Sequence, residues 1–115
     1  MKMITAIIRP NHHQAVKGAL GEADFSGITV SSVKGCGSQR GVIERYRGSE
    51  YVVDLLDKIK IEFVVKDDEV GKAIKIICDG ARTGEVGDGK IFVTSIEEVI
   101  RIRTNERGES ALETR

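Results

Sequence analysis

A long polar stretch, residues 35–58, separates two apolar strand patterns in this chain of 115 residues. It contains glycines, arginines and two tyrosines but no proline. Connections in compact domains are usually about 4–6 residues long, and structureless ones beyond about 12–15 residues are mostly functional or disordered. A chain of this length has room for one domain with one core. We therefore expect a single domain over residues 1–115, with a long functional loop at 36–57.

Apolar periodicity on both sides of this loop predicts the regular elements. Short β-branched or alternating runs predict four strands, at residues 3–9, 28–34, 59–65 and 90–95. Apolar residues spaced three and four apart predict two helices, at residues 12–23 and 70–81. Asn11 is expected to cap the first helix, and Asp67 or Asp68 the second.

The resulting order, β-α-β-loop-β-α-β, predicts an α+β fold of the ferredoxin-like type. Its two helices would cover one face of a four-stranded antiparallel sheet. The other face would carry Val64 and Phe92, so we expect it to pack against other subunits. A short extra strand is expected within residues 96–102, followed by a charged, mobile tail over 105–115.

Composition argues against several classes of function. Eighteen basic residues balance 18 acidic ones, whereas binders of nucleic acid or membrane surfaces usually have a basic excess. We see neither a membrane span nor a signal peptide, and expect a cytoplasmic protein. Cys36 and Cys78 are far apart and are interpreted as reduced thiols. His12 and His13 are adjacent and do not share a helix face, which argues against a metal pair.

Two segments in the second half of the chain have the chemistry of anion sites. Residues 83–90 read Thr-Gly-Glu-Val-Gly-Asp-Gly-Lys. Their glycines allow successive backbone N–H groups to converge on an anion, although a plain turn before a strand would look the same. Arg101 and Arg103 would share one face of a strand and would suit a polyphosphate. A salt-bridged surface strand is the alternative.

The long loop contributes further candidates at its base and its tip. A second glycine-rich turn, 35–41, contains Gln39 as a neutral oxygen donor, and Lys58 lies at the opposite base. The tip, residues 44–51, is rich in arginine and tyrosine, which are enriched at binding hot spots. A charged, disordered loop would have the same composition.

Two longer motifs make these fragments recognisable. Residues 46–51 read Tyr-Arg-Gly-Ser-Glu-Tyr, and residues 83–93 read Thr-Gly-Glu-Val-Gly-Asp-Gly-Lys-Ile-Phe-Val. They resemble the two signature motifs of the PII nitrogen-signalling proteins, and the likeness covers nearly the whole chain. Residues 34–35 and 44–48 look most like the GlnK branch, which regulates ammonium channels.

The resemblance implies a homotrimer of ferredoxin-like subunits that binds ATP or ADP in clefts between neighbours. Proteins of this kind are regulators rather than enzymes. By position in this sequence, the nucleotide would be contacted by Thr29, Gly37, Ser38, Gln39, Glu62, Val64, Gly87, Asp88, Gly89, Lys90, Arg101, Ile102 and Arg103.

The resemblance also implies roles for the loop. Gln39 would coordinate a magnesium ion that bridges ATP to 2-oxoglutarate, with Gly41 and Lys58 completing the site for the acid. Arg47 would plug the cytoplasmic mouth of an ammonium transporter, which would recruit the protein to the membrane. Tyr51 matches the residue that is uridylylated in many bacterial members.

Two positions depart from the family pattern, and other functions stay open. Ser38 stands where an arginine usually reaches the phosphates, and Asp57 stands where a proline usually precedes Lys58. A PII-like regulator of a different target that does not respond to 2-oxoglutarate is one alternative. A nucleotide hydrolase that uses Asp88 or Glu62 to activate water is another. The few aromatic residues disfavour an RNA-binding module.

Overall fold

The computed structural model describes residues 1–36, 42–46, 49–53 and 55–113, and places side chains in 1–36 and 55–113. Strands β1 (Lys2–Ile8), β2 (Thr29–Gly35), β5 (Leu56–Val65) and β6 (Lys90–Ser95) form an antiparallel sheet in the order β2-β5-β1-β6. Two further strands, β3 (Val42–Tyr46) and β4 (Ser49–Val53), pair with each other. The helices are α1 (His13–Glu22) and α2 (Val70–Ala81). The predicted α+β, ferredoxin-like fold is therefore confirmed.

One face of the larger sheet and the two helices enclose the core. In β5, every second residue from Ile59 to Val65 is buried, because alternate side chains of a strand point to the same face. The buried positions of α1 and α2 recur at helical spacing, and include Val16 and Ile77. Phe25 joins this core, with its ring centroid 5.6 Å from that of Phe63. The core therefore uses one sheet face, and the other face is available for a ligand or a partner.

The predicted helix caps were wrong. Each helix is preceded by a 3-10 turn, Pro10–His12 or Asp67–Glu69, and no side-chain cap forms at either start. Pro10 starts its turn one residue earlier than the proposed cap, because its fixed φ suits the first position of a helical turn. Asp67 instead pairs with the amino group of Met1 at 2.8 Å. That ammonium, first by its hydrogen bond and then by its charge, lowers the pKa of the Asp67 carboxyl.

Within the predicted long loop, the chain forms a two-stranded hairpin that the sequence analysis did not predict. Its register runs from Val42 opposite Val53 to Tyr46 opposite Ser49. Of the flanking strands, β2 has the expected length but ends one residue later, at Gly35, and β5 begins three residues earlier than expected, at Leu56. More of the stretch therefore belongs to strands than its composition indicated.

At the base of this hairpin, Lys34 and Asp57 extend the main sheet. They lie opposite each other in the β2–β5 register, with 2.5 Å between Lys34 Nζ and Asp57 Oδ1. Asp57, which the sequence analysis placed in the loop, is therefore a strand residue whose charge is paired across the sheet.

The predicted short strand at residues 96–102 was wrong. The chain instead reverses direction after Arg101, with an isolated bridge between Ile100 and Arg107. The N–H of Asn105 donates to the carbonyl oxygen of Arg101 at 2.7 Å, and Asn105 adopts a positive φ of 61°. A 3-10 turn, Gly108–Leu112, follows. The predicted mobility of the tail stays a prediction.

The second sheet face carries rows of side chains across the strands. Thr29 lies opposite Glu62, and Thr5 lies opposite both Glu62 and Phe92. Phe92 is 51% exposed despite its large apolar ring, as expected for a face that packs against another subunit. The subunit contact itself stays a prediction. None of the helices that the structure describes is long and apolar enough to cross a membrane.

Candidate functional site

A glycine-rich turn between α2 and β6 forms the centre of the candidate site. Gly84, Gly87 and Gly89 have φ values of 88°, 103° and 104°, a region that L residues with a Cβ rarely adopt. At Gly89 a Cβ would also lie 1.7 Å from the carbonyl oxygen of Ile7. The close approach of this turn to β1 therefore requires glycine at position 89.

Asp88 stabilises the turn through its side chain. Its carboxylate accepts hydrogen bonds from the Thr83 hydroxyl at 2.5 Å, the Thr83 N–H at 2.8 Å and the Gly84 N–H at 2.9 Å. The hydroxyl bond first, then the backbone bonds and the charge of Arg9, lower the pKa of Asp88 to about 2. This carboxylate is therefore ionised and bonded to the first residues of its own turn.

Two cationic side chains, Lys58 and Arg9, donate hydrogen bonds to backbone carbonyl oxygens of the same turn. Lys58 Nζ donates to the carbonyl oxygen of Gly87 at 2.9 Å. Arg9 Nη2 donates to the carbonyl oxygen of Val86 at 2.6 Å, and the same nitrogen lies 3.5 Å from Asp88 Oδ1. Lys58 was predicted from the sequence as a site residue, but Arg9 was not. Arg9 lies 77 positions from Val86, so no local sequence pattern indicates their contact.

Lys58 and part of this turn line a cavity of about 520 Å³, a size typical of small-molecule sites. Of the residues singled out from the sequence, this cavity brings together Lys58 and the turn residues from Gly87 to Lys90. Apolar atoms come from Ile7 and Phe92 among others. Gly35, Cys36 and Leu56 also line it, so the cavity reaches the facing ends of β2 and β5.

The remaining nucleotide candidates lie elsewhere on the subunit. Val64, Arg101 and Arg103 line a second cavity of about 460 Å³, together with Ser26 and Gly27. Neither Arg101 nor Arg103 lines the cavity at the glycine-rich turn. The expectation that a neighbouring subunit joins the two groups stays a prediction.

The expected strand position of Arg101 and Arg103 was wrong, because the chain turns at residues 102–104. The two arginines of this second cavity also differ in their surroundings. Arg101 is 15% exposed, with its Nε 3.8 Å from Glu106 Oε1. Its Nη2 donates to the carbonyl oxygens of Ala111, at 3.2 Å, and of Glu113. Arg103 is exposed, and Ile102 is 99% exposed. Of the two guanidinium groups, that of Arg101 is therefore held by the tail.

Several candidates fall where the structure gives no side-chain description. Gly37, Ser38, Gln39, Gly41 and Arg47 lie outside the described residues. Tyr51 belongs to β4, but its side chain is likewise outside the description. The magnesium, partner and modification roles of these residues stay predictions. Within residues 1–36 and 55–113, no group of three or more His, Cys, Asp or Glu side chains could hold a metal ion.

Comparison with known proteins gives a family for this arrangement. A family model described as nitrogen regulatory protein P-II matches residues 1–106. Proteins with that name from Mesorhizobium japonicum, Azospirillum brasilense and Porphyra purpurea are 57%, 55% and 54% identical to this chain over 112 residues. Each match covers 97% of this chain and 100% of the relative. The chain therefore belongs to the nitrogen regulatory protein P-II family, whose members are oligomeric signal transducers that bind effectors and partners and are not enzymes.

Proposed function

We propose that this protein senses ATP and ADP at the glycine-rich turn and passes the signal to the hairpin. One observation carries the proposal. The cavity that contains the turn, Lys58 and Lys90 is also lined by Gly35, the last residue of β2, and Leu56, the first residue of β5, which flank the hairpin in the sequence. A ligand in this cavity would therefore contact both the phosphate-binding backbone and the base of the arm.

The chemistry of the cavity favours a phosphorylated ligand with an apolar part. Backbone N–H groups of a glycine-rich turn bind anions well, and Lys58 and Lys90 add positive charge. The negative charge of Asp88 is compensated by Thr83, Gly84 and Arg9. Ile7 and Phe92 supply an apolar wall for a base. ATP and ADP have both parts.

We propose that a neighbouring subunit of a homotrimer completes each site. Val64, Arg101 and Arg103 line a cavity of their own, and Glu62 lies opposite Thr29 on the same open face. A second copy of this chain would bring such a set to the glycine-rich turn of the first. A sedimentation experiment tests this arrangement, and a monomer at micromolar concentration would contradict it.

We further propose that 2-oxoglutarate binds beside magnesium-ATP, with Lys58 as the cation for one of its carboxylates. Gln39 would hold the magnesium ion, and Gly41 would allow the chain to close over the acid. A regulator that binds nucleotide but not the acid is the alternative. Calorimetric titration with 2-oxoglutarate in the presence of magnesium-ATP separates the two.

The output of the proposed sensor is the hairpin, as in the GlnK branch. Arg47, between β3 and β4, would enter an ammonium transporter at the membrane, while Tyr51 would be the site of covalent modification. Ligands would act by their differential affinity for the arm's conformations. Moving a two-state arm from 1:99 to 99:1 would require about 5.5 kcal/mol of such preference.

Nucleotide hydrolysis has less support than binding. A general base works best with a pKa near the operating pH, whereas hydrogen bonds from Thr83 hold the pKa of Asp88 at about 2. Glu62 lies 3.6 Å from Lys60, in an ion pair on the sheet surface. Multiple-turnover ATP hydrolysis that disappears in Asp88→Asn would be required to restore the enzyme alternative.

Calorimetric titration of the purified protein with ATP, with ADP, and with 2-oxoglutarate in magnesium-ATP is the primary test. Saturable binding of both nucleotides is expected, and a complete absence of nucleotide binding would refute the proposal.

The role of the arm is tested separately with Arg47→Ala. This variant is expected to lose inhibition of the ammonium transporter and to keep the nucleotide affinity of the wild type, because position 47 lies between β3 and β4 in the sequence and is not one of the residues proposed to contact the nucleotide. Transport assays in vesicles and calorimetry measure the two quantities. Equal losses in both would indicate a structural role for Arg47.

A further inference from the structure

We propose that Arg9 is a positioning residue for phosphate binding, acting through the Val86–Gly87 peptide unit. The inference rests on the proposed nucleotide site and adds a residue to it. Arg9 follows β1, and its guanidinium reaches across to the glycine-rich turn. The residues lining the cavity at the turn do not include Arg9, so it would act through Gly87 rather than by touching the ligand.

A planar trans peptide unit fixes the directions of its C=O and N–H groups relative to each other. In a trans peptide, the C=O of one residue and the N–H of the next point in opposite directions within one plane. Arg9 Nη2 holds the carbonyl oxygen of Val86 at 2.6 Å. The N–H of Gly87 must therefore point away from Arg9, which presents a positive dipole on the other side of the turn.

Lys58 does the same for the next peptide unit. Its Nζ holds the carbonyl oxygen of Gly87 at 2.9 Å, so the N–H of Asp88 points away from Lys58. Two cations from separate strand ends thus orient two consecutive amides. Successive N–H groups oriented in this way form the anion-binding concavity known as a nest.

The backbone of the Val86–Gly87 unit is intrinsically free to rotate at Gly87, so a contact to its carbonyl oxygen helps to fix its orientation. Gly87 has a φ of 103° and no side chain, so rotation of this unit meets little steric resistance. The Asp88 carboxylate is bonded to Thr83 and Gly84, at the start of the turn. Gly89 packs against Ile7 at its end. Arg9 therefore contacts the turn between these two anchored ends.

The environment of Arg9 also differs from that of a solvated surface arginine. Its side chain is 28% exposed, and its Nε is buried with no hydrogen-bond partner in the part of the chain that the structure describes. Leaving a charged donor unsatisfied is costly. The contacts of the guanidinium to Val86 and Asp88 offset that cost.

The test compares Arg9→Met, which keeps an apolar stem, with Arg9→Lys, which keeps a cationic donor. Lys75→Met is the matched control, because Lys75 pairs only with Asp79 on the surface of α2 in the described structure. The affinities of the full-length proteins for ATP and for adenosine are measured by calorimetry in low salt and in about 0.5 M KCl. We expect Arg9→Met to bind ATP about tenfold more weakly, or about 1.4 kcal/mol, with adenosine affinity unchanged. Arg9→Lys should restore most of the loss.

Each alternative has its own outcome. Equal losses for ATP and adenosine would show that Arg9 only supports the fold. A loss that disappears at high salt, where charges are screened within a few ångströms, would show that Arg9 acts as a distant charge. Unchanged ATP affinity in Arg9→Met would overturn the inference directly.

A second measurement is independent of nucleotide binding. In the protein without nucleotide, the amide resonance of Gly87 should shift in Arg9→Met and stay in place in Lys75→Met. Absence of that shift would overturn the inference even if the wild type bound no nucleotide. Failure of wild-type binding alone, with the shift present, would instead refute the proposed function.

Discussion

Replacing Gly89 by alanine is expected to displace the glycine-rich turn from β1. A Cβ at this position would lie 1.7 Å from the carbonyl oxygen of Ile7 and 2.9 Å from its carbonyl carbon. Both atoms belong to the backbone of a central strand, so no side-chain rotation relieves the overlap. The turn and β1 must separate by more than about 1 Å to restore an ordinary contact distance.

The cost of this displacement has two parts. A residue with a Cβ in the left-handed region costs roughly 1–2 kcal/mol, and position 89 has a φ of 104°. Separation of the chains also disturbs the start of the β1–β6 ladder, where Ile7 lies opposite Lys90. Each lost hydrogen bond contributes about 1 kcal/mol. We therefore expect Gly89→Ala to lower the free energy of unfolding by about 3–4 kcal/mol.

Gly84→Ala is the matched control, because it isolates the backbone part of the cost. Gly84 also has a positive φ, 88°, but nothing lies within 4 Å of a Cβ placed there. This variant should lose only about 1–2 kcal/mol. Urea unfolding followed by circular dichroism, at one protomer concentration, measures both variants. Equal losses in the two variants would refute the contact between Gly89 and Ile7 as the source of the larger cost.

Two further predictions concern the charged groups of the two cavities. The pKa of Asp88 is about 2 in the folded protein, against 3.8 for an ordinary aspartate, so its contribution to stability is complete above about pH 4 and is lost as the pH falls towards 2. In Asp88→Asn, the urea midpoint should therefore fall less steeply than in the wild type as the pH is lowered from about 4 to 2. An equally steep fall in both proteins would contradict the lowered pKa of Asp88. In the second cavity, a chain ending at Glu109 should bind ATP about fivefold more tightly, since loss of the carbonyl acceptors at Ala111 and Glu113 frees Arg101 at a gain of about 1 kcal/mol. Calorimetry measures the change, and unchanged or weaker ATP binding would show that the tail does not compete for this guanidinium.

Local patterns in the sequence were enough to predict the scaffold. The alternation from Ile59 to Val65 gives the buried face of β5 directly, because the period of a strand depends only on neighbouring residues. The glycine-rich turn was recognisable for the same reason, since the backbone freedom of Gly87 and Gly89 is an intrinsic property.

Contacts between distant residues were not predictable in this way. Arg9 and Val86 are brought together by the packing of the turn against β1. No sequence pattern around either residue indicates this contact. Arg101 and Arg103 were assigned to a strand because their spacing fits one. A reversal at Asn105, which adopts a positive φ, instead directs the chain back toward Arg101.

The hairpin was missed for a different reason. Its strands contain β-branched and aromatic residues, including Val42 and Tyr46, that favour strands. Charged residues between them suggested a solvated loop instead. β3 and β4 form a separate two-stranded sheet, and an isolated hairpin is marginally stable in water, so their conformation should respond readily to a ligand or a partner.

Asp57 places a carboxylate next to Lys58 in the sequence, and an uncompensated negative charge there would oppose the binding of an anionic ligand. Its pairing with Lys34 at 2.5 Å compensates that charge across the β2–β5 register, while Lys58 bonds to the carbonyl oxygen of Gly87. A ligand carboxylate would thus replace a neutral acceptor of the Lys58 ammonium by a charged one, which adds ion-pair attraction to the hydrogen bond. Displacing that carbonyl would also release the peptide unit that orients the N–H of Asp88. The acid and the nucleotide would then be coupled through Lys58, and by linkage each would change the affinity for the other by the same factor.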